Sequence, residues 1–559
     1  MLDYWLAEGS AGRPVWLPEV RWQCGAMENR IDVTLQLTLW DGSLRDIPLP
    51  LPRWQGEAQR RFVLDYGAAC VYNALCGCGG RKAVFYLDQQ EREAVELLAQ
   101  VRELFLAHPT GYGKTVQIAR RFCRAFGAPP FTFTMEDRAN YVPAPPTAKT
   151  GGDLTARFRR AVARCGEGVC VGLDIGGTDI KGAVSRDGAL LCVKEFDWNP
   201  ADYATPEEIL RPIVVLARLL CACAAGITPA LQTALAREAT VAEMEAATAD
   251  CTCLPADIMG VSFPDIVLRD RIIGGETPKT QGMRQNTAED YETAFERLGG
   301  LLEQLRPLCR PDGALHMTND GHIAAFTAAA ELAWGDGAPD FSGGVIAHAI
   351  GTDFGMGCLT PEGTVPEMPL ELYDFILDLG SFTQRQFPLE GIRGTRNENS
   401  GLAGGRRYLG QSAAFRLAYE EDPALLADFV RWENGVLTMA PEQRKPCLAH
   451  LMAQAAAGSE AAANVFRRIG RHIGHISREM ALLLQPETDT RYLFGRFVKE
   501  PACFDLLAEG CRETAPCIRL ERADEDMAET PLTRQLAATN NTVAQFGQSL
   551  GAIYYAALV

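Results

Sequence analysis

The residues with the most evident chemistry lie between 169 and 185, Val-Cys-Val-Gly-Leu-Asp-Ile-Gly-Gly-Thr-Asp-Ile-Lys-Gly-Ala-Val-Ser. A largely apolar run ends at Asp174, breaks at Gly176-Gly177-Thr178 and resumes over Ile180–Val184. Two strands joined by a glycine pair predict a tight turn whose main-chain N–H groups are open to an anion. A carboxylate at the strand end, Asp174, is placed to hold a hydrated divalent cation beside that anion. An anion with an attendant metal points to a nucleoside triphosphate, and hence to phosphoryl transfer. Lys181 on the second strand can reach phosphate, although a lysine there equally suits a solvated strand face.

The same device recurs. Apolar runs over 344–350 and 356–360 flank Gly351-Thr352-Asp353-Phe354-Gly355. A duplicated grip would let two lobes clamp one nucleotide and exclude water on closure. Between the two hairpins, Thr318-Asn319-Asp320 closes a short predicted strand (314–318) and opens a predicted helix (321–334). A carboxylate at 320 can accept the proton of an attacking hydroxyl. Its plain alternative is a helix cap, by Asp320 or Asn319. The Asn319 amide offers both a donor and an acceptor to neighbouring hydroxyls.

The elements that position these groups follow from periodicity. Ile31, Val33, Leu35, Leu37 and Leu39 alternate toward an Asp41-Gly42 turn within a β-like stretch (17–50), with 44–51 as hairpin partner. Helical spacing follows at 56–75 and 90–106. Residues 129–152, rich in Pro, Ala, Thr and Gly, read as a linker. From 166 onward, strands 169–175, 180–185 and 190–196 form a meander. A long helical region (206–249), a strand (257–263), helix (291–306), a strand (491–494) and a last helix (534–557) complete the pattern. This predicts a separate α+β domain over 1–150.

Composition bounds the rest. The chain has 559 residues, 47% hydrophobic and 22% charged, which suits two or three soluble domains. A net charge of −17 argues against a nucleic-acid surface. No apolar run is long enough for a membrane span, and no secretory signal is evident at the start, so a cytoplasmic location is expected. The 18 cysteines are then reduced and largely buried. Cys70, Cys76 and Cys78 lack a second pair at finger-like spacing, so structural zinc is not expected there. Gly111-Tyr-Gly113-Lys114-Thr115 ends like a P-loop, but that motif needs glycine where His108 stands. His472 and His475 share a helix and fit solvent exposure or core carbonyls better than a metal.

Leu173–Ala183 resembles the first phosphate motif of the ROK sugar kinases, within the actin/hexokinase/heat-shock-chaperone superfamily. Ile258-Met-Gly-Val-Ser-Phe-Pro264, with Gly274-Gly275 and Pro278 beyond it, is similar to that family's Gly-x-x-x-x-Pro strand and loop. Thr318–Ala325 resembles its catalytic Asn-Asp segment, and Ile350–Gly357 its second phosphate motif. Arg491-Tyr-Leu-Phe-Gly495 and the helix 547–556 follow in the family's order. The resemblance covers about 166–559. It implies an α/β, two-lobed ribonuclease-H-like (actin/hexokinase-type) ATPase fold with lobes 166–316 and 317–559, the closing helix returning to the first.

The resemblance further implies an ATP- and Mg2+-dependent kinase for a hexose or related sugar, with Asp320 as general base and Asn319 on the sugar. Asp174 would organise the metal. Gly176, Gly177, Thr178, Lys181, Gly351, Thr352, Gly355 and Gly495 would hold the nucleotide. The family's Gly-Glu-x-Gly-His step and cysteine-rich zinc loop have no counterpart in 361–405, so no structural zinc is expected. Glu367 or Glu371 stands in for the sugar-contacting glutamate. These departures keep a regulator without turnover, sensing sugar or nucleotide, as the alternative, and a non-sugar acceptor as a third. A small-molecule sugar is the expected partner, with no nucleic acid or membrane, and pairing into a homodimer stays open.

Overall fold

The computed structural model describes residues 1–109, 111–145, 152–274, 278–382, 404–433, 436–524 and 526–559. Strands β1 (Thr34–Thr38) and β2 (Leu44–Pro48) form the expected hairpin. β3 (Lys82–Leu87) and β4 (Thr132–Asp137) complete a sheet of order β2-β1-β3-β4. β4 lies inside the expected linker. Phe131 and Phe133 alternate inward there, and β4 pairs in parallel with β3. The following chain is strapped down too, since Asp46 accepts from the Tyr141 hydroxyl at 2.6 Å and from the Ala144 N–H at 2.7 Å. Part of the expected β-like stretch is instead a helix, Leu17–Gly25, with Pro18 in its first turn, where a missing N–H costs nothing.

The next strands are β5 (Val169–Ile175), β6 (Asp179–Arg186), β7 (Ala189–Asp197), β8 (Ala256–Phe263), a short pair β9 (Val267–Leu268) and β10 (Arg271–Ile272), and β11 (Cys309–Asn319). The main sheet has order β11-β8-β5-β6-β7. β5, β8 and β11 run parallel, while β5-β6-β7 is the antiparallel meander. The helical region after β7 is three helices, Pro206–Ala225, Pro229–Ala234 and Val241–Thr248. Thr205 and Thr240 begin the first and third with capping boxes, which fix new starts that periodicity alone passes over.

Then follow β12 (Val345–Ile350), β13 (Phe354–Leu359), a two-stranded ladder β14 (Arg431–Glu433) and β15 (Val436–Thr438), β16 (Thr490–Phe494) and β17 (Arg519–Arg522). Four of them make a sheet of order β13-β12-β16-β17. The expected last helix is two, Pro531–Ala537 and Val543–Leu558. Glycines let the second press on the main sheet. A Cβ on Gly172 would lie 1.8 Å from the Ser549 carbonyl oxygen, and one on Gly260, its cross-strand partner, 1.8 Å from that of Ala552.

Two compact units result: Met1–Ala148 with His348–Met356 and Glu367–Arg522, and Lys149–Ala347 with Gly357–Pro366 and Ala523–Val559. The division does not follow the sequence segments 1–150, 166–316 and 317–559. Parallel pairing of β11 with β8 keeps Asp320 in the unit of Asp174. The first 148 residues share a unit with 367–522, where Arg21 and Glu479 form a buried ion pair at 2.9 Å. Among the described residues, no helix is long and apolar enough to cross a membrane.

Candidate functional site

Strands β5, β8 and β11 all end at one edge of the sheet because they are parallel. Such a carboxyl edge is where open α/β sheets place ligands. Asp174 is the penultimate residue of β5, in register with Ser262 on β8, which is in turn level with Thr318 on β11. β5 is sandwiched between β6 and β8, so every residue but Asp174 is buried. The buried Ser262 hydroxyl donates to Asp174 Oδ1 at 2.8 Å.

Desolvation pushes the Asp174 carboxyl up to about 6, with Ser262 and the Lys181 ammonium opposing and the Asp320 and Asp179 carboxylates adding to the rise. Asp320 is also raised, first by desolvation, with the Lys279 ammonium countering. The Asp320 carboxylate acts on Asp174 and the Lys279 ammonium on Asp320, so the three belong to one electrostatic cluster. Lys279 donates to the Pro264 carbonyl at 3.2 Å, and its Cε lies 3.4 Å from where a Cβ on Gly177 would stand. The lysine therefore lies between the hairpin tip and the end of β8. A lone lysine in a loop carries no spacing signal, and sequence reasoning missed both it and Ser262.

The cap question has a geometric answer. Asn319 is the N-cap of the helix Asp320–Trp334, its Oδ1 accepting from the Gly321 N–H at 2.8 Å. Its Nδ2 donates to the Asp265 carbonyl at 3.0 Å. The amide expected on the sugar is thus engaged at both ends by the chain itself. Asp320 occupies the first helical position and also accepts from the Gly321 N–H at 2.8 Å. The return strand of the second hairpin closes on this turn. His322 Nδ1 lies 3.1 Å from the Cys358 N–H nitrogen, and a Cβ on Gly357 would stand 2.0 Å from the Gly321 carbonyl oxygen.

The first hairpin tip is exposed at Gly177 and Thr178. Gly176 N–H donates to the Asp179 carbonyl at 2.8 Å to close the turn. Lys181 is bonded to the Asp179 carboxylate, so its charge is already engaged. In the other unit, Gly351 N–H donates to the Asp353 carbonyl at 3.0 Å, and Thr352 is exposed. The Gly351 carbonyl receives the Gln411 N–H at 2.9 Å, so the loop leans on the start of the helix Gln411–Glu421. Gly495 has φ +103° and would drive a Cβ to 2.6 Å from the Ile350 oxygen, so packing within the fold demands glycine there. Gly355 meets only ordinary contact, at 3.5 Å from Ala349. Gly177 and Gly351 differ again: neither has a positive φ, and a Cβ at 351 would meet nothing within 4 Å. The fold does not require glycine at either tip.

Glu367 and Glu371 also belong to the unit of 351 and 495, not to that of Asp320. The Glu371 N–H donates to the Cys76 carbonyl at 3.1 Å. Gly275 lies outside the described residues. The P-loop-like segment follows a helix, Arg92–Leu106, and its Thr115 hydroxyl is spent on the Tyr112 carbonyl at 2.9 Å. His472 Nδ1 lies 2.9 Å from the Tyr408 carbonyl oxygen, and His475 stacks on Trp16; both are buried. Cys78 donates to the Leu483 carbonyl at 3.2 Å.

Among the described residues, no three His, Cys, Asp or Glu side chains gather as a metal cage. Magnesium does not need one, since it keeps several waters and takes one or two carboxylates plus substrate phosphates. Asp174, half-buried at the end of β5, fits that requirement in its chemistry as a single carboxylate.

No family model matches the chain, and no curated protein matches it. Solved structures do. One is a ROK family glucokinase from Streptomyces griseus in complex with glucose and AMPPNP, at 16% identity over 69% of this chain and 98% of that one, TM-score 0.36. Another is a ROK hexokinase from Thermus thermophilus, at 16% identity over 69% and 97%, TM-score 0.37. A third is a glucokinase from Balamuthia mandrillaris in complex with glucose, at 14% identity over 72% and 97%, TM-score 0.40.

Proposed function

We propose that this chain is an ATP-dependent kinase that phosphorylates a hydroxyl of a hexose or related sugar, with Asp320 as general base. The observation that carries it is the cluster of Asp174, Ser262, Lys279 and Asp320 at the carboxyl edge of β5, β8 and β11, beside a glycine tip. Phosphoryl transfer asks the protein for positioning and charge neutralisation more than for covalent chemistry. Those four groups supply a metal-organising carboxylate, a cation and a proton acceptor. Glycine at 177 and 351, where the fold has no use for it, suits close approach of a polyphosphate to the main chain. The order β7-β6-β5-β8-β11 supports a ribonuclease-H-like lobe, and β13-β12-β16-β17 supports a second, shorter one.

When bound, Mg-ATP supplies the phosphoryl group and screens its charge, with Asp174 holding the cation. Asp320 accepts the proton of the acceptor hydroxyl as the oxygen attacks. Its raised pKa brings it nearer to working pH and makes it a better proton acceptor. Lys279 is cationic where negative charge moves during transfer. Glu367 and Glu371 remain the proposed sugar contacts, and the cell interior the proposed location.

One observation favours the alternative, a sensing regulator without turnover: the Asn319 amide is committed to its own helix and to Asp265. ADP release measured with a panel of sugars, repeated with Asp320→Asn, separates the two. A kinase shows sugar-dependent ADP that the variant loses while ATP still shifts its melting temperature. No ADP with any sugar, or undiminished release from the variant, overturns the assignment.

A further inference from the structure

The segment after Pro366 is held by the N-terminal region of the same unit through its main chain. Leu370 N–H donates to the Gly77 carbonyl at 3.2 Å and Glu371 N–H to that of Cys76 at 3.1 Å, both at the end of the helix Gly56–Gly77. Leu370 itself has φ +54°, a left-handed conformation that a leucine keeps only when its surroundings enforce it. Six residues on, Asn73 takes both main-chain groups of Ile376, donating to its carbonyl at 3.0 Å and accepting its N–H at 2.8 Å. Leu17 N–H donates to the Leu377 carbonyl, and Leu379 N–H to that of Val15, both at 2.8 Å. The Asp378 carboxylate receives the Val15 N–H at 2.8 Å.

Asn73 is fully buried and lies on a polar chain. Its amide also donates to Glu479 Oε1 at 3.0 Å, and Glu479 pairs with Arg21 at 2.9 Å. Side-chain amides that replace a strand partner on a buried main chain fix its position, because the alternative leaves two buried polar groups unpaired.

We propose that the N-terminal region is a cradle that sets the position of residues 367–380, and that Asn73 is its principal positioning residue. Its bearing on acceptor recognition rests on the sugar-contacting role proposed above for Glu367 and Glu371. The N-terminal residues then do the work of holding the acceptor segment, for which 361–405 carries no cysteine loop.

Two measurements on the full chain test this. In Asn73→Ala, amide hydrogen exchange over 370–380 is expected to accelerate about tenfold, with 169–186 unchanged. The acceptor KM is expected to rise about tenfold, while kcat and the ATP KM stay within about twofold. Unchanged exchange over 370–380, or acceptor and ATP KM rising together, overturns the cradle. If the unaltered chain turns over no sugar, the function reading fails, while exchange still decides the cradle.

Discussion

The two glycine-turned hairpins are built alike and equipped differently. The turn between β5 and β6 is flanked by Asp174 on one strand and by Asp179 and Lys181 on the other, and its sheet brings Ser262 and Asp320 to the same edge. The turn between β12 and β13 follows Ile350, and its loop is backed by main chain at Gln411 and by Gly495. The sheets share an order, with a hairpin beside two further strands. The first has an additional outer strand, β7. A glycine turn between paired strands is therefore present twice, whereas the ionisable groups are gathered once. Duplicating a turn takes only glycines at the right spacing. Duplicating a pair of half-buried, partly desolvated acids would come at a further cost in stability.

That division can be broken most forcefully at Asp320. Asp320→Asn is expected to lower turnover about 10^2–10^4-fold with ATP binding retained, measured by ADP release and thermal shift. Because the carboxyl is raised, turnover of the unaltered protein should fall as pH drops through a midpoint above the ordinary carboxylate range, and the variant should lose that limb.

Behind the second hairpin the largest effect should be structural. Gly495→Ala must accept both φ +103° and a 2.6 Å clash with the Ile350 oxygen. A loss of about 2 kcal/mol or more in urea unfolding is expected. The glycine tips should behave oppositely. Gly351→Ala, and Gly177→Ala with only the flexible Lys279 chain to displace, should unfold like the unaltered chain while the ATP KM rises roughly tenfold. Equal ATP KM values would leave glycine at those tips without a ligand to explain it.

The smallest expected effect sharpens the contrast through pH. Asp174 is raised to about 6, so below its unfolded pKa it is protonated in both states and adds no penalty. The penalty grows between that pKa and about 6 and is complete above it. Asp174→Asn should therefore stabilise the fold by about 1–2 kcal/mol at pH 8, allowing for partial exposure, and by nothing near pH 3. Melting curves at the two pH values decide it. Loss of magnesium-dependent ATP binding should accompany that gain.

The residue pattern alone located both hairpins, the meander, the Asn319–Asp320 junction and, as 56–75 and 90–106, the helices Gly56–Gly77 and Arg92–Leu106, because apolar period and glycine turns are local properties. It also carried the strand at 132–137 in Phe131 and Phe133, masked by the prolines that follow. The helix breaks near 226 and 240 were legible in Thr-x-x-Glu spacing at the second and in Gly226 at the first. Tertiary structure decided the rest. Which strands pair in parallel set Asp174, Ser262 and Asp320 on one edge, and the chain beyond β8 brought Lys279 to the Pro264 carbonyl and the Gly177 tip. The partners that N-terminal Asn73 and Arg21 take up lie hundreds of residues away in the chain. Those contacts are long-range pairings of single residues, and a pairing that leaves no periodic trace in either segment exists only once the chain has folded.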